Sequence, residues 1–76
     1  MSFQAYLRTI EEKTGRDPQG LRDWARAKGL LEGERLKPSA KAGDVLAPAK
    51  AELGLGHGHA MAVYALLSGK RHEGNA

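Results

Sequence analysis

A segment rich in glycine and histidine, 53–60, contains the residue types and spacing that could do chemistry. It lies between two apolar stretches, which predicts a turn leading into a helix. The first amides of a helix have no partner inside it and carry part of its positive dipole charge. Glycines let an anion approach the backbone without a side chain in the way. We therefore predict a phosphate site at Gly54, Gly56, His57 and Gly58, where His59 adds a hydrogen bond, and a charge when protonated.

Two other interpretations of this segment remain open at this stage. In the first, the segment is only a tight helix-to-helix turn, in which Gly54 ends one helix and the other glycines permit close packing. In the second, His57 and His59 ligate a metal. Zinc needs three or four ligands, residues two apart diverge on a helix, and only His72 could join them. We therefore predict no metal site.

Catalytic patterns are missing from the sequence. Glu11 and Glu12 are adjacent, so a helix places them on different sides and they make a poor acid/base pair. There is no recognisable Ser-His-Asp arrangement, phosphate loop ending in Gly-Lys-Ser/Thr, or dinucleotide fingerprint. We predict that the protein is not an enzyme, with no catalytic residues and no cofactor.

The charge balance favours an anionic partner. The 76 residues allow one domain, and their net charge is +3 with a pI near 9.5. Lys50 and Lys41 are predicted to belong to the phosphate site, with Arg26 and Lys28 adding to the positive field. The predicted partner is DNA or RNA. The alternative is that these charges only solubilise the surface.

The expected compartment is the cytoplasm, with no membrane association. The chain has no cysteine, which fits a reducing environment. The longest apolar run, 60–67, is far too short to span a bilayer, and residues 1–4 do not resemble a signal peptide.

Capping residues define the first two helices. Ser2 caps a first helix whose apolar residues follow at helical spacing, and Gly15 ends it. Asp17-Pro18 opens a second helix, which Gly29 ends. The inner face of the second helix includes Trp24, which we expect in the core rather than stacked on a base.

The second half of the chain predicts a loop and two further helices. Residues 32–37 form the loop. The third helix starts at Ser39 or at Gly43-Asp44; Pro48 kinks it if the start is early, or lies near its first turn if the start is late. The fourth helix is apolar on every side over 60–67, so several neighbours bury it or it shares a face with another subunit. In the second case, Met61 or Tyr64 would face the partner.

The predicted fold is all-α, a compact bundle of four short helices with a helix-hairpin-helix-like turn between helices 3 and 4. The domain spans 1–69, and 70–76 form a flexible tail. The spacing in 53–63 resembles the hairpin of helix-hairpin-helix nucleic-acid-binding motifs. That resemblance implies that backbone amides hold a phosphate of the nucleic acid. This chain has Gly58 and His59 where typical hairpins carry Lys or Thr.

Two segments also resemble a small bacterial family of domains of unknown function. These are Ser2-Phe3-Gln4-Ala5-Tyr6-Leu7, continued by 10–15, and the run 53–62. The resemblance implies a short bacterial cytoplasmic domain with no established activity, cofactor or catalytic residue. Pro48-Ala49 stands where this family is expected to have Trp-Leu. The leading hypothesis is a weak, sequence-independent nucleic-acid-binding module; the alternative is a protein-interaction or homodimerisation module.

Overall fold

The computed structural model describes residues 2–70, which form four α-helices and one small β-hairpin. The elements are α1 (Phe3–Thr14), α2 (Pro18–Ala27), β1 (Leu31–Glu32), β2 (Arg35–Leu36), α3 (Ala42–Leu53) and α4 (His57–Ser68). The predicted four-helix, mostly all-α fold is confirmed. Within 2–70, no helix combines the length and the apolar character that crossing a bilayer requires. The predicted tail, 70–76, lies outside the described residues except for Lys70.

The first two helices begin at side-chain caps, as predicted. The Ser2 hydroxyl accepts a hydrogen bond from the Ala5 N–H at 3.2 Å. The Asp17 carboxylate accepts from the Gly20 N–H at 2.7 Å, and Pro18 occupies the first helical position. These bonds satisfy amides that have no partner inside the helix.

The ends of α1 and α2 also follow the prediction. Gly15 and Gly29 have φ values of 72° and 77°, in the left-handed region that glycine tolerates best. Beyond α2, the Leu30 N–H donates to the Ala25 carbonyl at 3.0 Å, which turns the chain back on the helix.

The predicted loop at 32–37 was wrong, because it contains a β-hairpin. Leu31 pairs with Leu36 and Glu32 with Arg35 in antiparallel register, across a turn that starts at Gly33. Strands of two residues are too short to show the alternation by which a sequence reveals a strand.

Both predicted starts of α3, at Ser39 and at Gly43-Asp44, were also wrong. The helix begins at Ala42, and Lys41 is its N-cap. The Asp44 carboxylate reaches back to accept from the Lys41 N–H at 2.9 Å, so the cap is made by a residue inside the helix. Pro48 lies within the helix, which continues past it.

The core surrounds α4, which contacts α1, α2, α3 and β2. Internal neighbours therefore bury its apolar residues, as one of the two predicted arrangements required. Trp24 is 7% exposed and belongs to the core, also as predicted. The buried residues are Phe3, Leu7, Ile10, Leu21, Trp24, Ala25, Leu31, Val45, Ala49, Leu55, Ala60, Ala62, Val63, Leu66 and Leu67.

Candidate phosphate-binding hairpin

The hairpin between α3 and α4 is held by its backbone and by one apolar side chain. Gly54 adopts φ 67° and ψ 25°, a left-handed conformation that ends α3. The N–H groups of Gly54 and Leu55 both donate to the Ala49 carbonyl. The Leu55 side chain is only 4% exposed and packs into the core. This buried leucine between two glycines fixes the turn so that Gly56 and the start of α4 remain at the surface.

The front of α4 carries amides without internal partners. Gly56 is the N-cap and has no side chain that could accept from them. The first bond of the helix is donated by the Ala60 N–H to the Gly56 carbonyl at 2.9 Å. Within residues 2–70, the amides of His57, Gly58 and His59 have no acceptor. Three donors therefore lie at the positive end of the helix dipole.

The glycine at position 56 has no packing role. Its φ of −74° is open to any residue, and a Cβ added there would meet no atom within 4 Å. A Cβ on Gly58 would stand 3.6 Å from the Tyr6 hydroxyl, which is an ordinary contact. Only Gly54 is required by its backbone conformation. The tight-turn interpretation therefore explains Gly54, whereas close packing does not explain Gly56.

Tyr6 and His59 form a ring pair beside these amides. Their centroids are 4.9 Å apart at 75°, an edge-to-face arrangement. The Nε2 atom of His59 is buried and has no hydrogen-bond partner within the described residues. In this conformation only Nδ1 could provide the predicted hydrogen bond to a phosphate. Tyr6 was not assigned to the site from the sequence, because only the packing of α1 against α4 brings Tyr6 and His59 together.

The structure separates the two lysines that the sequence assigned to the site. Lys50 is exposed in the last turn of α3, next to the hairpin, and has no ion pair within residues 2–70. Lys41 lies at the opposite end of this helix of 12 residues. At 1.5 Å per residue, the whole helix, about 18 Å along its axis, separates Lys41 from the hairpin. Lys50 therefore adjoins the hairpin and Lys41 does not.

The two cations at the end of α2, which were expected to extend the positive field, are already paired. Arg26 contacts Asp23 at 2.9 Å and Glu34 at 3.5 Å. Lys28 forms an ion pair with Glu52 and lies 5.7 Å from the Trp24 ring centroid. Their contribution to the field at the hairpin is therefore largely cancelled.

Glu52 is a carboxylate near the hairpin, but it is held on the α2 side. The hydrogen bond from Lys28 is the main cause that lowers the pKa of Glu52 below its ordinary value of 4.5; desolvation opposes this shift, and the Lys28 charge, Trp24 and Arg16 each lower the pKa further. The Trp24 indole N–H donates to it at 3.4 Å. Glu52 and Lys50 are two residues apart, so α3 presents them on different sides. The charge of Glu52 is thus balanced by Lys28, and Glu52 does not pair with Lys50.

A concave surface with a volume of about 460 Å³ lies along α1 and the start of α2, away from the hairpin. Its lining includes Arg8 and the exposed carboxylates Glu11 and Glu12, but no residue of the hairpin. In residues 2–70, this surface included, no three His, Asp or Glu side chains are grouped as metal ligands would be. His72 lies outside the described residues.

Comparison with known proteins identifies the family of the chain. The model of a family described as a domain of unknown function (DUF4287) matches residues 2–69, nearly the whole chain. No curated protein matches, and no solved structure matches. The family description therefore supplies no activity, and the geometry of the hairpin is the basis for a functional proposal.

Proposed function

The chain belongs to the DUF4287 family of domains of unknown function, and we propose that it binds the phosphate backbone of nucleic acids weakly and largely without regard to sequence. The observation that carries the proposal is the front of α4. Three amides without internal acceptors follow Gly56, whose missing side chain neither packing nor backbone conformation requires. An oxyanion is the ligand that such a helix front accepts best.

The distribution of charge supports a polyanion as the ligand. The chain carries a net charge of +3, and Lys50 stands beside the hairpin without an acidic partner in residues 2–70. Backbone amides at a helix front and a lysine are typical donors to phosphate oxygens. Such contacts position a protein on a nucleic acid but carry no sequence information. Affinity should therefore fall steeply as salt is added.

The proposal is tested by giving these amides a hydrogen-bond acceptor from the protein itself. In Gly56→Asp, the new carboxylate is at the N-cap and accepts from the amides of Gly58 or His59, in competition with a ligand. We expect stability to rise by a few tenths of a kcal/mol, as N-cap substitution of glycine does. We expect the affinity for short DNA and RNA at low salt to fall at least about tenfold, equivalent to ~1.4 kcal/mol. Amide shifts in ¹⁵N-labelled protein report both binding and its location.

The matched control is Gly43→Asp. Gly43 lies in the first turn of α3, a Cβ there meets no atom within 4 Å, and the change in net charge is the same. Gly56→Asn adds a neutral cap that competes without adding charge. If Gly43→Asp weakens binding as much as Gly56→Asp, the loss is a general charge effect. If DNA, RNA and inorganic phosphate all leave the amides of 54–60 unshifted in the wild type, the proposal is wrong.

The alternative, an interaction or homodimerisation module, retains one structural argument. Internal packing already accounts for the apolar character of α4, but Met61 is 40% exposed, more than any other large apolar side chain in residues 2–70. A mass that stays monomeric at high concentration would count against self-association.

A further inference from the structure

The exposed side of α4 carries a stripe of three residues, here called the outer stripe: His57, Met61 and Tyr64. Their spacing, i, i+4 and i+7, places them on one face of the helix. His57 is exposed, Met61 is 40% exposed and Tyr64 is partly buried against the core. The stripe begins at the proposed phosphate site and runs away from it along the helix.

A cation lies at the far end of the outer stripe. The Lys70 ammonium is 5.9 Å from the centroid of the Tyr64 ring. Tyr64 is seven residues after His57, which corresponds to about 10 Å along the helix. The stripe thus has donors for an anion at one end, a cation at the other, and apolar side chains between them.

This arrangement differs from what a double helix offers a protein. The faces of paired bases are stacked inside a duplex, so Met61 and the Tyr64 ring could reach only base edges, sugar and phosphate. In an unpaired strand the base faces are available, and proteins that bind single strands combine positive charge with apolar or aromatic contacts to bases. A separation of about 10 Å spans roughly three nucleotides at the stacked spacing of ~3.4 Å.

We propose that the outer stripe binds single-stranded nucleic acid, with one phosphate at the amides of α4, the next bases against Met61 and Tyr64, and a later phosphate at Lys70. This inference rests on the proposed function and specifies its ligand. It commits to an unpaired strand because charge suited to phosphates flanks the apolar part at both ends. A second copy of this chain would bring the same cation to the stripe and not its complement.

The test compares an oligothymidylate of about ten nucleotides with a duplex of equal length, each at low salt. We expect the wild type to bind the single strand at least about threefold more tightly. Met61→Gln keeps the length of the side chain but makes it polar, and we expect it to lower single-strand affinity about threefold while leaving duplex affinity unchanged. Met61→Leu, which keeps an apolar contact, should retain most of the affinity.

The outcomes separate this inference from the function on which it rests. Equal affinity for single strand and duplex, with no effect of Met61→Gln, would overturn the inference and leave phosphate binding intact. Binding of neither probe, without amide shifts at 54–60, would overturn both. A dimer of the wild type that Met61→Gln dissociates would show that a second copy occupies the stripe, and would also overturn the inference.

Discussion

The fronts of α2 and α4 are the same structural feature built in two ways. At α2, the Asp17 carboxylate accepts from the Gly20 N–H at 2.7 Å and places a negative charge at the positive end of the dipole. At α4, Gly56 has no side chain that could provide an acceptor or a charge, and the amides of 57–59 have no acceptor within residues 2–70. The comparison shows that this chain caps one helix with its own carboxylate and leaves another without a side-chain cap.

The largest effect on stability should come from truncating Leu55, the buried side chain that fixes the hairpin in front of α4. Leu55 is 4% exposed between the two glycines of the hairpin. Leu55→Ala removes buried methyl groups and leaves a cavity, so we expect the free energy of unfolding to fall by about 2–4 kcal/mol. Urea or guanidinium denaturation measures this loss.

Leu46, a partly buried leucine of α3, provides the control for this anchor. Leu46→Ala should cost clearly less, because its side chain is already partly in water. If both variants lose the same free energy of unfolding, Leu55 does not stabilise the hairpin more than an ordinary leucine of α3 does.

A smaller effect on stability is expected from removing the Asp17 cap of α2. Asp17→Ala removes the cap of α2 and should lower the free energy of unfolding by about 1 kcal/mol, since its amides lose their acceptor. Phosphate binding at the amides of 57–59 should be unchanged. Thermal unfolding and an NMR titration with inorganic phosphate measure the two quantities.

The same variant also sharpens the comparison. Asp17→Asn retains a cap without the charge, so it should keep most of the stability. If Asp17→Ala gains phosphate-induced shifts at Gly20 as large as those at Gly58, any uncapped helix front in this chain binds phosphate. The neighbours of the α4 front, Tyr6 and Lys50, would then contribute nothing particular.

Sequence reasoning succeeded where structure follows from local chemistry. The caps Ser2 and Asp17 and the stops Gly15 and Gly29 act on amides and carbonyls a few residues away, so residue type was enough. It failed at 41–44, because Lys41 is not a typical cap and the capping oxygen belongs to Asp44, inside the helix.

In the candidate site, contacts between residues far apart in the sequence could not be predicted. The glycines and their amides could be proposed from 53–60 alone. The approach of Tyr6 to Gly58 depends on packing between the first and last helices, and no local pattern reveals it. The paired state of Lys28 likewise depends on Glu52, 24 residues later, so a count of positive charges overestimated the field.

The smallest expected effect is on nucleic-acid affinity, from removing a positive charge near the front of α4. Lys50→Gln should lower nucleic-acid affinity about two- to threefold and reduce the slope of log affinity against log salt by about 1, because one phosphate contact is lost. Lys41→Gln makes the same change in charge at the far end of α3. At about 18 Å it lies beyond the ~10 Å screening length of 0.1 M salt, so its effect should be smaller. Equal slopes for both variants would mean that the ligand extends along the whole of α3, and the bound surface would then be the length of that helix and not the front of α4.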